Sequence, residues 1–267
     1  MTVARLLMAV LTAGSAAGIG FGFATLESSA DAEARQSFED INAPYDGLFH
    51  FVRIRYSSGG GGGGFGGGRR RGGGGGAMWA HDYPRAERNF LSIMKETTFV
   101  DAQTEGSNVL TFDDPELFKY PVAYIVEVGA WNPTETEAES LANYLQKGGF
   151  LIVDDFRDGY ALDNLEFHLR RILPDGNMVM VSDNDDIFDS FFRIVPQDVM
   201  PPYGGGAPIW YGIYEDNDPT KRLMVIINYN NDIAEYWEFS DYGYYPIDLA
   251  NEAYKLGVNY VVYGMTH

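Results

Sequence analysis

The chain of 267 residues contains no cysteine. That absence removes disulfides, thiolate nucleophiles, cysteine-ligated zinc and iron–sulfur clusters together. Histidine is scarce too. His50, His81, His168 and His267 are scattered, with no pair at i, i+4, so no zincin-type site is encoded. No G-x-S-x-G elbow supplies a serine nucleophile instead. Basic residues are few, 19 Lys+Arg against 38 Asp+Glu, a formal net charge of −19. Such an acid excess repels a phosphate backbone and argues against nucleic acid as a partner. Glycine looks abundant at 32, but 14 of these lie between positions 59 and 76, leaving an ordinary proportion elsewhere.

What is present begins with an uncharged run over residues 6–26, preceded only by Arg5 among basic residues. Its 21 residues exceed a secretory h-region of about 7–15 and match the roughly 20 that span a bilayer. Gly14, Gly18 and Gly22 share one helical face, a small-xxx-small stripe suited to close membrane-helix packing. Small-residue sites around Ala30, Ala32 and Ala34 keep a cleaved signal peptide open as the alternative, with release to the periplasm near Ala32. Arg5 before the run and Glu27, Asp31 and Glu33 after it place the N-terminus in the cytoplasm. The body is therefore expected outside the cytoplasm, on the periplasmic side, anchored by residues 6–26.

Residues 27–47 read as a polar linker, and 48–267 as one domain interrupted at 57–77 by a flexible Gly/Arg loop. Without that tract, residues 77–267 carry 12 Lys+Arg against 32 Asp+Glu, a net of −20. Arg69, Arg70 and Arg71 are thus the one concentrated positive element. Strand patterns fall at 49–56, 108–112, 122–128, 150–153, 178–181, 223–228 and 259–263, and helical patterns at 85–98, 134–147, 162–173 and 251–256. Thr134 before Glu135 and Glu137 is an N-cap with acids in the first turn. This alternation predicts an α/β fold: a mostly parallel sheet flanked by helices on both faces.

Five segments then carry a resemblance: FVRIRY, DYPRAERNFLSIMKETT, LFKYPVAYIVEVGAW, LANYLQKGGFLIVDDF and KLGVNYVVYGM. In this order they resemble the bacterial domain of unknown function 4159 family, in register over residues 49–265. The resemblance implies an extracytoplasmic or membrane-associated domain with a class I glutamine amidotransferase-like fold, flavodoxin-like in its layering, and no established activity. Glutamine amidotransfer itself needs a cysteine nucleophile, so this chain is excluded from it. Asp185-Asp186-Ile187-Phe188 stands where the family's acid–His–Pro motif is typical, and no role for that histidine carries over.

In an open α/β sheet, ligands enter at the carboxyl ends of strands. Glu127 and Asp154-Asp155 stand at such ends, with Trp131 and Arg157 close by in sequence, and His81 sits beside Trp79 and Tyr83. These six residues, Glu127, Trp131, Asp154, Asp155, Arg157 and His81, are the candidate ligand-binding set. Each acid has a structural reading as well, as a cap or an ion-pair partner. Two adjacent aspartates leaving a strand point differently, so at most one should face a ligand. The SDNDDIFD and EDND runs lack the glycine and spacing of an EF-hand, and no metal, cofactor or catalytic residue is assigned. Aromatics crowd residues 236–245; Tyr236, Trp237, Tyr242, Tyr244 and Tyr245 form a candidate interface, as do Gly14, Gly18 and Gly22 within the membrane. The expected function is a non-enzymatic, membrane-tethered binding or structural subunit of an envelope complex, meeting other membrane or periplasmic subunits. The alternative is a carbohydrate- or small-ligand-binding protein, or hydrolase-like enzyme, using strand-end carboxylates.

Overall fold

A computed structural model describes residues 42–57, 77–204 and 206–267. The expected anchor at 6–26 with its three glycines, most of the linker, and the Gly/Arg loop lie outside the described residues. Among the described residues no helix is long and apolar enough to cross a membrane.

The described residues form a seven-stranded sheet in the order β2-β1-β3-β4-β7-β6-β5. Strands β1 (Val52–Ile54), β2 (Asn108–Leu110), β3 (Val122–Val126), β4 (Phe150–Phe156) and β7 (Leu223–Tyr229) run parallel. Strands β5 (Val179–Met180) and β6 (Ile209–Tyr214) close one edge antiparallel. The parallel strands are buried along almost their whole length, which explains their unbroken apolar sequences. Side chains alternate between two cores. Tyr124, Val126, Ile152 and Ile226 face helices α1 (Arg85–Thr97), α4 (Ile233–Glu238) and α5 (Ile247–Thr266). Ala123, Ile125, Val153 and Ile227 face α2 (Glu135–Gln146) and α3 (Gly159–Ile172).

The capping signal before α2 holds: Thr134 and Glu137 form a reciprocal capping box, with the Glu137 N–H donating to the Thr134 hydroxyl at 3.2 Å. The end of the expected linker is tied to the sheet. The Asn42 amide pairs with the backbone of Val109 at 2.9 and 2.7 Å, and Ala43 with the amide of Asn108.

Three segments differ from the sequence expectation. Residues 259–263, read as the last strand, lie inside α5. That helix is buried nearly all round, from Leu256 to Val261 without interruption, and so shows the same continuous apolar run as a covered strand. Gly257 allows its closest contact: a Cβ there would lie 2.4 Å from the Trp237 ring and 2.6 Å from Phe90. Strand β6 falls in a stretch read as irregular, because flanking Pro and Gly masked its six residues. Residues 233–238, given no element from the sequence and overlapping the aromatic-rich stretch only at 236–238, are helical.

Candidate functional site at the carboxyl edge of the sheet

Strand β1 lies between β2 and β3, and the segments leaving β1 and β3 pass to opposite faces, through α1 and α2. This reversal opens a crevice at the carboxyl ends of the strands. Four loops meet there: the segment after β1, the end of β3, the end of β4 and the segment after β7.

Strand β4 supplies two adjacent aspartates with different fates. Its register against β7 shifts between Val153 and Phe156, and Asp155 takes a left-handed conformation (φ 52°). Such a bulge re-aims consecutive side chains. Asp154 turns into the core, where it accepts hydrogen bonds from Tyr124 Oη (2.7 Å), Asn228 Nδ2 (3.0 Å) and the Ile233 N–H (3.0 Å). Asn228 is held in turn by Tyr260 Oη, and Tyr260 by the indole of Trp210. Asp154 is therefore a structural clasp joining β4, β7 and α4.

Asp155 turns to the crevice. His81 Nδ1 lies 2.6 Å from its Oδ2 and 3.4 Å from Asp82 Oδ1. Asp232 follows β7, caps α4 through the Glu235 N–H (2.9 Å), and accepts from Tyr203 Oη (2.8 Å). Ligand atoms of His81, Asp82, Asp155 and Asp232 all lie within 4.8 Å of one another. The three aspartates are buried, while the imidazole is one-third exposed. Burial with too little positive charge nearby shapes their protonation. Desolvation, then Glu127 and Asp154, pushes the Asp155 carboxyl up to about 8. Burial and their acidic neighbours hold Asp82 and Asp232 well above the usual carboxylate range. Glu238 is raised too, chiefly by burial.

The nearby arginines are engaged elsewhere. Arg53, fully buried in β1, pairs with Glu87 of α1 (Nε to Oε1 2.6 Å) and lies 4.7 Å from the Tyr124 ring centre. It also donates to the Trp79 carbonyl at 3.3 Å, fixing the segment that carries His81. Arg157 lies over the Tyr203 ring at 4.2 Å. Beside Asp155 is a solvent-open recess of about 220 Å³, lined also by Arg157, Tyr203, Asn230 and Asn231. Asn231 is 4% exposed, yet neither its amide nitrogen nor its carbonyl oxygen has a partner, and Asp82 Oδ2 is equally orphaned. Native interiors match most buried polar groups, so each such orphan calls for a group that completes it.

The candidates from sequence thus separate. His81 and Asp155 are brought together, Arg157 reaches the lip, and Glu127 stands at the β3 end in a left-handed conformation, its N–H donating to the Asp155 carbonyl. Asp154 does not face the crevice. Trp131 is 1% exposed and packs against Phe112 and His168 in the core. Of the aromatic interface candidates, Tyr236 and Trp237 are buried on the Phe90 side of the sheet, Tyr245 is half-buried with its hydroxyl donating to Glu235, and Tyr242 and Tyr244 are exposed. The sequence reading missed Asp232 and Asn231. The signal was there, since YNND follows the buried run LMVIIN as DD follows FLIV.

These features define a class: an α/β domain with helices on both sheet faces and a carboxylate–histidine crevice at the carboxyl edge. The family described as Domain of unknown function (DUF4159) matches residues 50–265, and the chain belongs to it. No curated protein matches the chain.

Proposed function

We propose that the chain is a small-ligand-binding domain whose centre is the carboxylate–histidine crevice, and that its ligand is a hydroxyl-rich molecule such as a saccharide. The observation that carries this reading is Asn231. A buried amide with both polar atoms unmatched, lining a recess beside Asp155, is what a site looks like before a donor–acceptor ligand completes it. Hydroxyls both donate and accept, so they suit Asn231, Asp155 and Tyr203 together. His81, held by Asp155 through Nδ1 in the cation-free crevice, keeps Nε2 for a proton at the bound ligand. This reading keeps the class I glutamine amidotransferase-like fold that the family resemblance implies, with carboxylates and an imidazole in its crevice.

Residues 6–26 support placing this domain outside the cytoplasm, tethered to the membrane, as a subunit of an envelope assembly. Exposed Tyr242 and Tyr244 support a partner contact there. The test is a melting series of the full chain against monosaccharides. Stabilisation of the wild type that is lost in Asp155→Asn supports the reading; no sugar shifting the wild type would sink it. Mass spectrometry of the mature chain tests the tether: retained Met1 gives an anchor, and a start near Glu33 gives a secreted domain.

A further inference from the structure

We propose that Asp82, Asp155 and Asp232, together with Nδ1 of His81, hold a divalent cation of the first transition row, and that this cation forms the floor of the ligand crevice. The inference rests on the reading of the crevice as the ligand site. Four donor atoms from three separate loops, after β1, at the end of β4 and after β7, converge within 4.8 Å. A cation bound at about 2.1 Å needs its donors about 3 Å apart when adjacent and about 4.2 Å when opposite; His81 Nδ1 stands 3.4 Å from Asp82 Oδ1 and 2.6 Å from Asp155 Oδ2, the latter a hydrogen bond that the cation replaces.

The second observation is independent of the acidity. Asp82 is buried to 7% exposure and its Oδ2 has no hydrogen-bond partner, although its carboxylate stands 3.4 Å from His81. Asn231, immediately before Asp232, adds two more unmatched buried atoms at the neighbouring recess. A buried carboxylate with one oxygen unmatched, on a side chain that converges with three other potential ligands, is completed by a cation. Among the described residues no Lys or Arg forms an ion pair with any of the three aspartates. Arg53 is committed to Glu87, and Arg157 to the face of Tyr203. Three of the four donor side chains are carboxylates and only His81 is basic, with Glu127 and Glu238 nearby.

The donor set also selects the metal. One imidazole nitrogen with three carboxylates suits Zn²⁺ or Mn²⁺, while all-oxygen sites suit Mg²⁺ or Ca²⁺. Sequence patterns did not disclose the site because its ligands lie at positions 81, 82, 155 and 232, outside any local spacing rule.

The experiment uses the full chain, stripped with chelator and titrated with Zn²⁺, Mn²⁺, Ca²⁺ and Mg²⁺ by calorimetry, with Mn²⁺ followed also by electron paramagnetic resonance. One Zn²⁺ or Mn²⁺ per chain is expected, binding at least ten-fold tighter than Ca²⁺ or Mg²⁺. Asp82→Asn and Asp232→Asn should each weaken it ten-fold or more, while Asp216→Asn, in the distant EDND turn, should leave it unchanged. His81→Ala, at a partly exposed position, serves should an aspartate variant not fold, and it too should weaken binding ten-fold. The proposal is overturned by absent stoichiometric binding, by equal affinity for Ca²⁺, or by binding that survives these substitutions. Saccharide titration with and without chelator separates the two readings: sugar binding indifferent to the cation overturns the cation proposal alone, and cation binding without any sugar response overturns the ligand reading alone.

Discussion

Asp155→Asn should make the metal-free protein more stable at pH 8 and leave it nearly unchanged at pH 4. In the fold the Asp155 carboxyl is raised from its ordinary 3.8 to about 8, first by burial and then by Glu127 and Asp154. A carboxyl raised on folding contributes stability that is complete below the unfolded value near 3.8 and is lost as pH climbs to about 8. A ten-fold change in proton affinity is worth about 1.4 kcal/mol, so the whole window spans as much as about 6 kcal/mol. Asp82 and Asp232 share the same protons, and neutralising one position relieves only part of the repulsion. The expected gain at pH 8 is on the order of 1–3 kcal/mol. Asparagine suits the site in two other ways. It tolerates the left-handed backbone (φ 52°), and its carbonyl can still accept from His81. Urea unfolding in chelator at pH 4 and pH 8 measures the difference. Destabilisation at pH 8, or the same change at both values, would refute the argument that charge repulsion dominates here.

Asp154→Ala should act oppositely, costing about 2–4 kcal/mol at neutral pH with or without cation, because it strands Tyr124, Asn228 and the Ile233 N–H in the core; urea midpoints at both conditions check this. Glu87→Gln, leaving the buried Arg53 charge without its counter-charge, should cost about 3–5 kcal/mol by the same assay. Gly257→Val forces a side chain into Trp237 and Phe90, and should cost about 1–3 kcal/mol or more; unchanged thermal stability would contradict the packing of α5.

Much of this architecture is legible in the sequence. The covered strands β3, β4 and β7 announced themselves as apolar runs, and Thr134 marked the start of α2. Residues 259–263 were not legible in the same way, because a helix buried on all sides carries no amphipathic period. Half of the site was visible for the reason that strand ends are visible: Asp155 follows a buried run. Which of Asp154 and Asp155 faces the crevice was decided by a bulge and a positive φ, features of pairing geometry rather than of composition. Trp237 sat in an aromatic cluster that suggests an interface, yet stacking on Phe90 (centroids 4.3 Å apart) puts it in the core. Asp82 and Asp232 meet only because β1 and β7 flank the β3–β4 pair, a topological fact with no local signature.

The most direct test of the crevice as a ligand site is the melting of Asn231→Leu with and without the sugar that stabilises the wild type. Because neither polar atom of Asn231 has a partner in the fold, leucine should leave the unliganded protein equally or slightly more stable. The same substitution should abolish the ligand-induced shift. A variant that loses more than about 1 kcal/mol without ligand, or that keeps the full shift with it, would contradict the account.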